Sequence, residues 1–380
     1  PRQRNQALER PEERRHSSGS AHRGLPPSTL ISLWRFGLLF DYFRANTSAM
    51  TRKLYPLLSL AFVLSLAACS SPEEDGGPKK DTRILPPASG THSELLLVMP
   101  DELWEGPAGE AFREIYLADQ EGLPQSEAYF DASRVQPKDV NKILQKTKSI
   151  MWVERSDTSF VKMQKDLWAR PQRIVRITAP TAEEITDIIR GSAKQLIEAY
   201  KAHDMAVIQS RLRKSAYAYT HENLKKIGIK NMLLHKGFDP TLDKEDLKIF
   251  ATKTVKTIQY VLVSERPMSE GLVSVDDIIA HRDSLGKHYF EGTLEGSYMA
   301  TELLIPPSIE TTEISGMFAL ETRGLWRIEG DFMGGPFLSY TIYDEKNDRI
   351  LTVESVLYGP TAKKRNVVLE MEAMMRSIKL

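Results

Sequence analysis

From Glu94 the run ELLLVMP is continuously apolar, which suits a buried strand. Gly106-Pro107 opens a predicted helix reaching Tyr116, EGLPQSEAYF at 121–130 reads as a loop, and another helix is expected near Lys138–Lys146. SIMWV at 149–153 has the β-branched and aromatic content of a strand, and QRIVRIT at 172–178 alternates as a half-buried strand does. Thr181 followed by Glu184 has the spacing of a capping box. Beyond it Ile185, Ile188, Ile189, Leu196, Ile197 and Tyr200 fall on one helical face, and a second short helix is expected over Met205–Leu212.

The strand-then-helix order recurs in IQYVLVS at 258–264, a break at Pro267 and a helix over Ser274–Leu285. No residue-level self-similarity accompanies it. FALETR, GLWRIEGDF, GPFLSYTIYDEKNDRI and LTVESVLYG then read as an antiparallel meander, with Glu345–Asp348 as a polar turn. Lys363–Ile378 closes the chain as a helix with Val367, Val368, Met371, Met374, Met375 and Ile378 at helical spacing, methionines that serve as core filler. The predicted fold class is α+β: a mixed or antiparallel sheet with packed helices, a C-terminal antiparallel meander and a closing helix. The folded body is expected over residues 94–380, with any subdomain boundary near 215–245.

Upstream the pattern changes. From Met50, Arg52 and Lys53 precede an apolar run from Leu57 to Leu66, then Ala67, Ala68 and Cys69. This is the charged, apolar and small-residue order of a secretory signal, and the run falls short of the ~20 residues a spanning helix needs. Cys69 is the single cysteine in 380 residues, which excludes an internal disulfide and a cysteine-rich zinc site. Its neighbours are an apolar run and a polar linker, a poor setting for a catalytic thiolate. Residues 70–93, dense in Pro, Gly, Ser and charge, are expected to complete a flexible tether over 69–93. Residues 1–49 hold eight Arg against four acidic residues and show no helical or strand period, and they read as upstream sequence translated from a misplaced start.

Charge narrows the partners. Residues 69–380 carry 41 Lys and Arg against 47 Asp and Glu, a net of about −6. A mildly acidic body without a basic stripe argues against nucleic acid as a partner, because that affinity comes from clustered cations on phosphates.

The P-loop, H-E-x-x-H, G-x-S-x-G and EF-hand patterns are all missing. His281 and His288, seven residues apart, would stand about 10 Å apart along a helix, too far for one metal. No metal or cofactor is expected. The densest unusual stretch is ETRGLWRIEGDFMGGPFLSY at 321–340, where Arg323, Trp326, Arg327 and Asp331 form a candidate binding cluster: Arg forks recognise carboxylates and phosphates, and Trp326 would supply a wall. The competing structural reading makes Trp326, Phe332 and Phe337 core residues and Gly334-Gly335-Pro336 a turn.

Several of these stretches resemble a known family. The box Leu66-Ala67-Ala68-Cys69, Leu123-Pro124-Gln125, Gly296-Ser297-Tyr298-Met299, Glu321 to Trp326, Asp331 to Phe337 and Lys364-Arg365 are similar to the bacterial, Bacteroidetes-type lipoprotein family known as domain of unknown function 4837. The likeness spans nearly everything from Glu94 to Leu380. It implies a signal peptide over 50–68 and an acylated Cys69 as the lipid attachment point, with the acidic Glu73-Glu74-Asp75 resembling an export signal to the outer leaflet. It carries no catalytic residue. The expectation is a lipid-anchored cell-envelope protein, held at the outer membrane through Cys69 with its face undecided. It would bind a ligand or an envelope protein partner, or contribute to envelope assembly, without catalysis, and an anchored envelope or extracellular hydrolase is the alternative.

Overall fold

In this computed structural model the described residues are 84–215, 219–268 and 273–380. In chain order the first part contains β1 (Glu94–Val98), α1 (Asp101–Trp104), α2 (Pro107–Tyr116), β2 (Asp131–Val135), β3 (Ser149–Arg155), β4 (Phe160–Lys165) and β5 (Arg173–Ala179), then α3 (Ala182–Gly191), α4 (Ala193–Ser215) and α5 (Tyr219–Lys225). The second part contains β6 (Asp239–Asp243), β7 (Leu247–Lys253), β8 (Ile258–Pro267), α6 (Val275–Tyr289), β9 (Tyr298–Thr301), β10 (Ser308–Ile314), β11 (Met317–Glu329), β12 (Gly334–Asp344), β13 (Arg349–Tyr358) and α7 (Arg365–Met375). The fold is α+β.

The first sheet has the order β2-β1-β3-β5-β4, parallel except for β4. Its central strands β1, β3 and β5 are apolar on both faces, as buried parallel strands are. Leu95, Leu97, Met151, Val153, Val175 and Ile177 pack under α2, α3 and α4, whereas Leu96, Val98, Ile150 and Ile174 meet Trp152, Leu144 and Trp168 on the other side. β5 is therefore buried on both faces rather than half-buried. The second sheet is antiparallel, β10-β11-β12-β13-β8-β7-β6, with β9 added to the far half of β11. The expected meander is β11, β12 and β13, and α7 closes it. The chain segments FALETR and GLWRIEGDF are one long strand, β11, not two.

Local chemistry accounts for other departures. The helix expected near Lys138–Lys146 is two short 3-10 turns at Pro137–Asp139 and Leu144–Lys146. Asn141 Oδ1 accepts the backbone N–H groups of Ile143 and Leu144, which competes with helical bonding. Thr181 does cap α3 by accepting the Glu184 N–H, but the Glu184 carboxylate turns to Ser159 instead of closing the box. The full capping box belongs to α6, where Ser274 and Asp277 bond reciprocally. The apolar face predicted from Ile185 to Tyr200 is split at Ser192 between α3 and α4. The short helix expected over Met205–Leu212 is the second half of α4, which has neither Gly nor Pro between Ala193 and Ser215. Order also begins before Glu94: Ala88 N–H bonds Arg170 O at 3.0 Å and Ser89 N–H bonds Lys146 O at 2.8 Å, so the end of the expected tether is fastened to the first sheet.

One face of the second sheet carries α6. The other carries α7 and, beside it, the end of α4, whose Ile208 and Leu212 join Met371, Met374 and Met375 of α7 in one core. Near its other end α4 places Leu196 and Tyr200 in the core of the first sheet. Tyr200 also donates to Ile150 O at 2.8 Å. α4 thus belongs to both cores.

Candidate ligand-binding cleft

The 119–130 loop crosses to the second sheet and brings its own anchors. Gly122, at φ +77°, lets the backbone turn against β11, where a Cβ would already touch Arg323 Cβ at 3.4 Å. Leu123 packs on the apolar core beneath α7. Gln125 accepts from Lys364 Nζ at 2.9 Å. Glu127 accepts the N–H groups of Lys364 at 2.6 Å and Arg365 at 3.1 Å, and the Arg365 guanidinium returns to Ala128 O at 2.6 Å and Asp131 at 2.5 Å. The two conspicuous stretches Leu123-Pro124-Gln125 and Lys364-Arg365 therefore meet in space.

Between this loop, α4, α7 and the β10–β11 edge lies a cleft with a cavity of about 140 Å³. Its base is a network of charge. Glu372, 1% exposed, takes Arg323 at 2.8 Å, Lys201 at 3.0 Å and Arg376 at 3.1 Å, and Tyr340 donates to it at 3.4 Å. Glu321 takes the same two guanidiniums, Arg323 at 2.5 Å and Arg376 at 2.6 Å. Burial alone would raise the Glu372 pKa, but Arg323, Lys201 and Arg376 outweigh it and hold the carboxyl at about 2. The guanidinium of Arg323 is destabilised by burial and more than restored by Glu372 and Glu321, so its pKa moves up. Both charges stay fixed across the neutral range. At the inner wall Asp204, 2% exposed, accepts Ser93 N–H at 2.7 Å and lies 2.7 Å from Lys148 Nζ.

Strand alternation separates the residues that the sequence groups together. Arg323 and Arg327 point to the α7 side of β11 and Trp326 to the α6 side. Of the four candidates Arg323 lines the cleft. Trp326 is core, donating its Nε1–H to Leu357 O at 3.2 Å. Arg327 is half-exposed and paired with Glu329 at 2.5 Å and Glu302 at 3.8 Å. Asp331 sits in the turn before β12 and bonds Thr293. Phe332 is fully exposed rather than core, at 107% relative accessibility. Cys69 lies outside the described residues. The cleft residues that motif reading missed are Lys201, Glu321, Tyr129 and Glu372. Glu372 had one visible signal, an acid among core methionines with Arg376 four residues on.

Beneath α6, Ser264 Oγ and His281 Nε2 are 3.1 Å apart. The surrounding space is about 10 Å³, roughly one water, and Arg266, Arg282 and Glu354 face it. His288 bonds Ser284 O on its own helix instead of sharing a ligand with His281. Among the described residues no three His, Cys, Asp or Glu side chains are grouped for a metal.

An antiparallel sheet with a closing helix, joined through an ion-paired cleft to a smaller mixed sheet, defines an α+β protein of two sheets. Residues 225–377 match the family described as Domain of unknown function (DUF4837). Residues 88–213 match a second family, Domain of unknown function (DUF8532), so the reach of the first is shorter than the Glu94–Leu380 span its resemblance suggested. No curated protein matches the chain.

Proposed function

We propose that this is a lipid-anchored cell-envelope protein whose body binds a ligand in the cleft without transforming it. The observation that carries the binding reading is the saturation of the cleft's buried charges by one another. Arg323, Lys201 and Arg376 are spent on Glu372 and Glu321, and the Glu372 carboxyl is held at about 2, far below neutral pH. Such a base preserves a shape and a field; it does not offer a proton or a nucleophile. Leu66-Ala67-Ala68-Cys69 supports the anchor, with acyl chains on the cysteine providing durable attachment at the outer membrane.

The cleft is tested by ligand-observed NMR against a mixed small-molecule set, using the protein and a Leu369→Trp variant that fills the apolar wall. Hits lost in the variant support the reading, and a set with no cleft-dependent hit defeats it. Intact mass from native membranes tests the anchor: a chain beginning at acylated Cys69 supports it, and an unmodified thiol refutes it.

The alternative, an anchored hydrolase, draws on the Ser264–His281 contact, a nucleophile and base within reach. A Ser264→Ala variant that abolishes ester hydrolysis by the pure protein would favour it.

A further inference from the structure

The cations around the cleft are committed. Arg323, Arg376 and Lys201 serve Glu372 and Glu321, Arg365 serves Asp131 and Ala128 O, and Lys148 serves Asp204. The carboxylates at the mouth are not. Glu121 and Glu310 are exposed and have no ion pair among the described residues, and Glu198 lies 4.0 Å from Lys201, a contact at the outer limit. Glu310 also stands directly opposite Glu321 across the β10–β11 ladder, a like-charge pairing that destabilises a sheet. Of this pair, Glu321 is compensated by Arg323 and Arg376, and Glu310 is not.

We propose that the cleft takes an aliphatic polyamine, a small organic cation with two or more ammonium groups on a methylene backbone. The proposal rests on the reading of the cleft as a binding site and adds the class of ligand. The half-buried Tyr129 lines the same cavity as Glu121, Glu198 and Glu310; burial raises its hydroxyl pKa, these carboxylates push it the same way, and Arg323 opposes them. Tyr129 is thus an aromatic face in a cavity lined by six carboxylates and three cations, an arrangement that attracts an ammonium. Ile197 and Leu369 line the same cavity and suit methylenes. Among the described residues the carboxylates are not grouped to converge on one metal ion, and an extended ligand suits such a spread. An anion would need to take Arg323 from two buried carboxylates, leaving charge unpaired in the interior.

The experiment is calorimetric titration of the full-length protein with spermidine, alongside succinate as the anionic control. The expected result is saturable spermidine binding that weakens with salt, falls tenfold or more in an E121Q/E310Q double variant whose Tm is not lowered, and is lost in Leu369→Trp. Spermidine binding that persists in both variants is surface association and overturns the proposal. Succinate binding that Leu369→Trp removes, without spermidine binding, overturns the polyamine and leaves the cleft reading standing. If neither compound binds, the polyamine falls on that result, while the NMR set separately decides the cleft.

Discussion

The Glu127 carboxylate caps the opening of α7, accepting the backbone N–H of Lys364, which lies 237 residues further along the chain, at 2.6 Å. Helix N-termini leave N–H groups unpartnered and favour negative charge, and α7 has no side-chain cap of its own. The Glu127→Ala variant should lose about 1–3 kcal/mol in urea unfolding, and Glu127→Gln, which keeps an acceptor but not the charge, should lose less. Equal losses would show that a neutral acceptor contributes nothing and that the charge alone carries the cap.

The stretch 321–340 divides into a buried and an exposed set. Trp326→Ala should cost about 3–5 kcal/mol by emptying the core under α6. Arg327→Ala, removing a half-exposed ion pair, should change stability by less than about 1 kcal/mol. Comparable losses in thermal unfolding would contradict the opposite facing of these neighbours.

Acid should destabilise the protein over two successive pH windows. His203 is buried, and burial, helped by Arg173 and Lys148 against Asp204 and Asp166, lowers its pKa from 6.5 to about 4. The unfolded chain therefore takes this proton first, and stability falls as pH drops from 6.5 to 4, by up to about 3 kcal/mol. His235 and His281, also lowered by burial, act in the same direction. Glu372, held at about 2 against an ordinary 4.5, stabilises fully above 4.5, and that contribution is lost between 4.5 and 2. Urea midpoints against pH for His203→Gln should show a shallower slope above pH 4.5 and an unchanged one below it. An unaltered upper slope would remove His203 from the account.

Gly286 marks where α6 presses on β9. A Cβ there would run into the Met299 carbonyl oxygen, so Gly286→Ala should cost about 1–3 kcal/mol through displaced packing. Calorimetry showing a raised Tm, as a helical Gly→Ala change gives when space is free, would mean the two elements sit further apart.

Long elements with strong periodicity were legible: β1, β3, α2, the meander and α7 all stand where their patterns put them. β2 and β4 were not, since DASRV and FVKMQK are edge strands with little apolar signal, and edges are kept polar against unwanted pairing. The candidate cluster failed to converge for a simple geometric reason, the two-residue period of β11 setting Trp326 against Arg323 and Arg327. Glu372 was hidden differently. Its three cations come from α4, β11 and its own helix, and a linear pattern does not reveal which distant segments share a face.

The membership of α4 in both cores bears on how the chain can be divided. The two family matches end and begin at residues 213 and 225, and a cut between them looks natural in one dimension. In three dimensions it would strip Ile208 and Leu212 from the methionines of α7, leaving each fragment with a raw apolar wound. The halves are accordingly obliged to melt in a single cooperative transition, and neither should be recoverable as a soluble piece on its own.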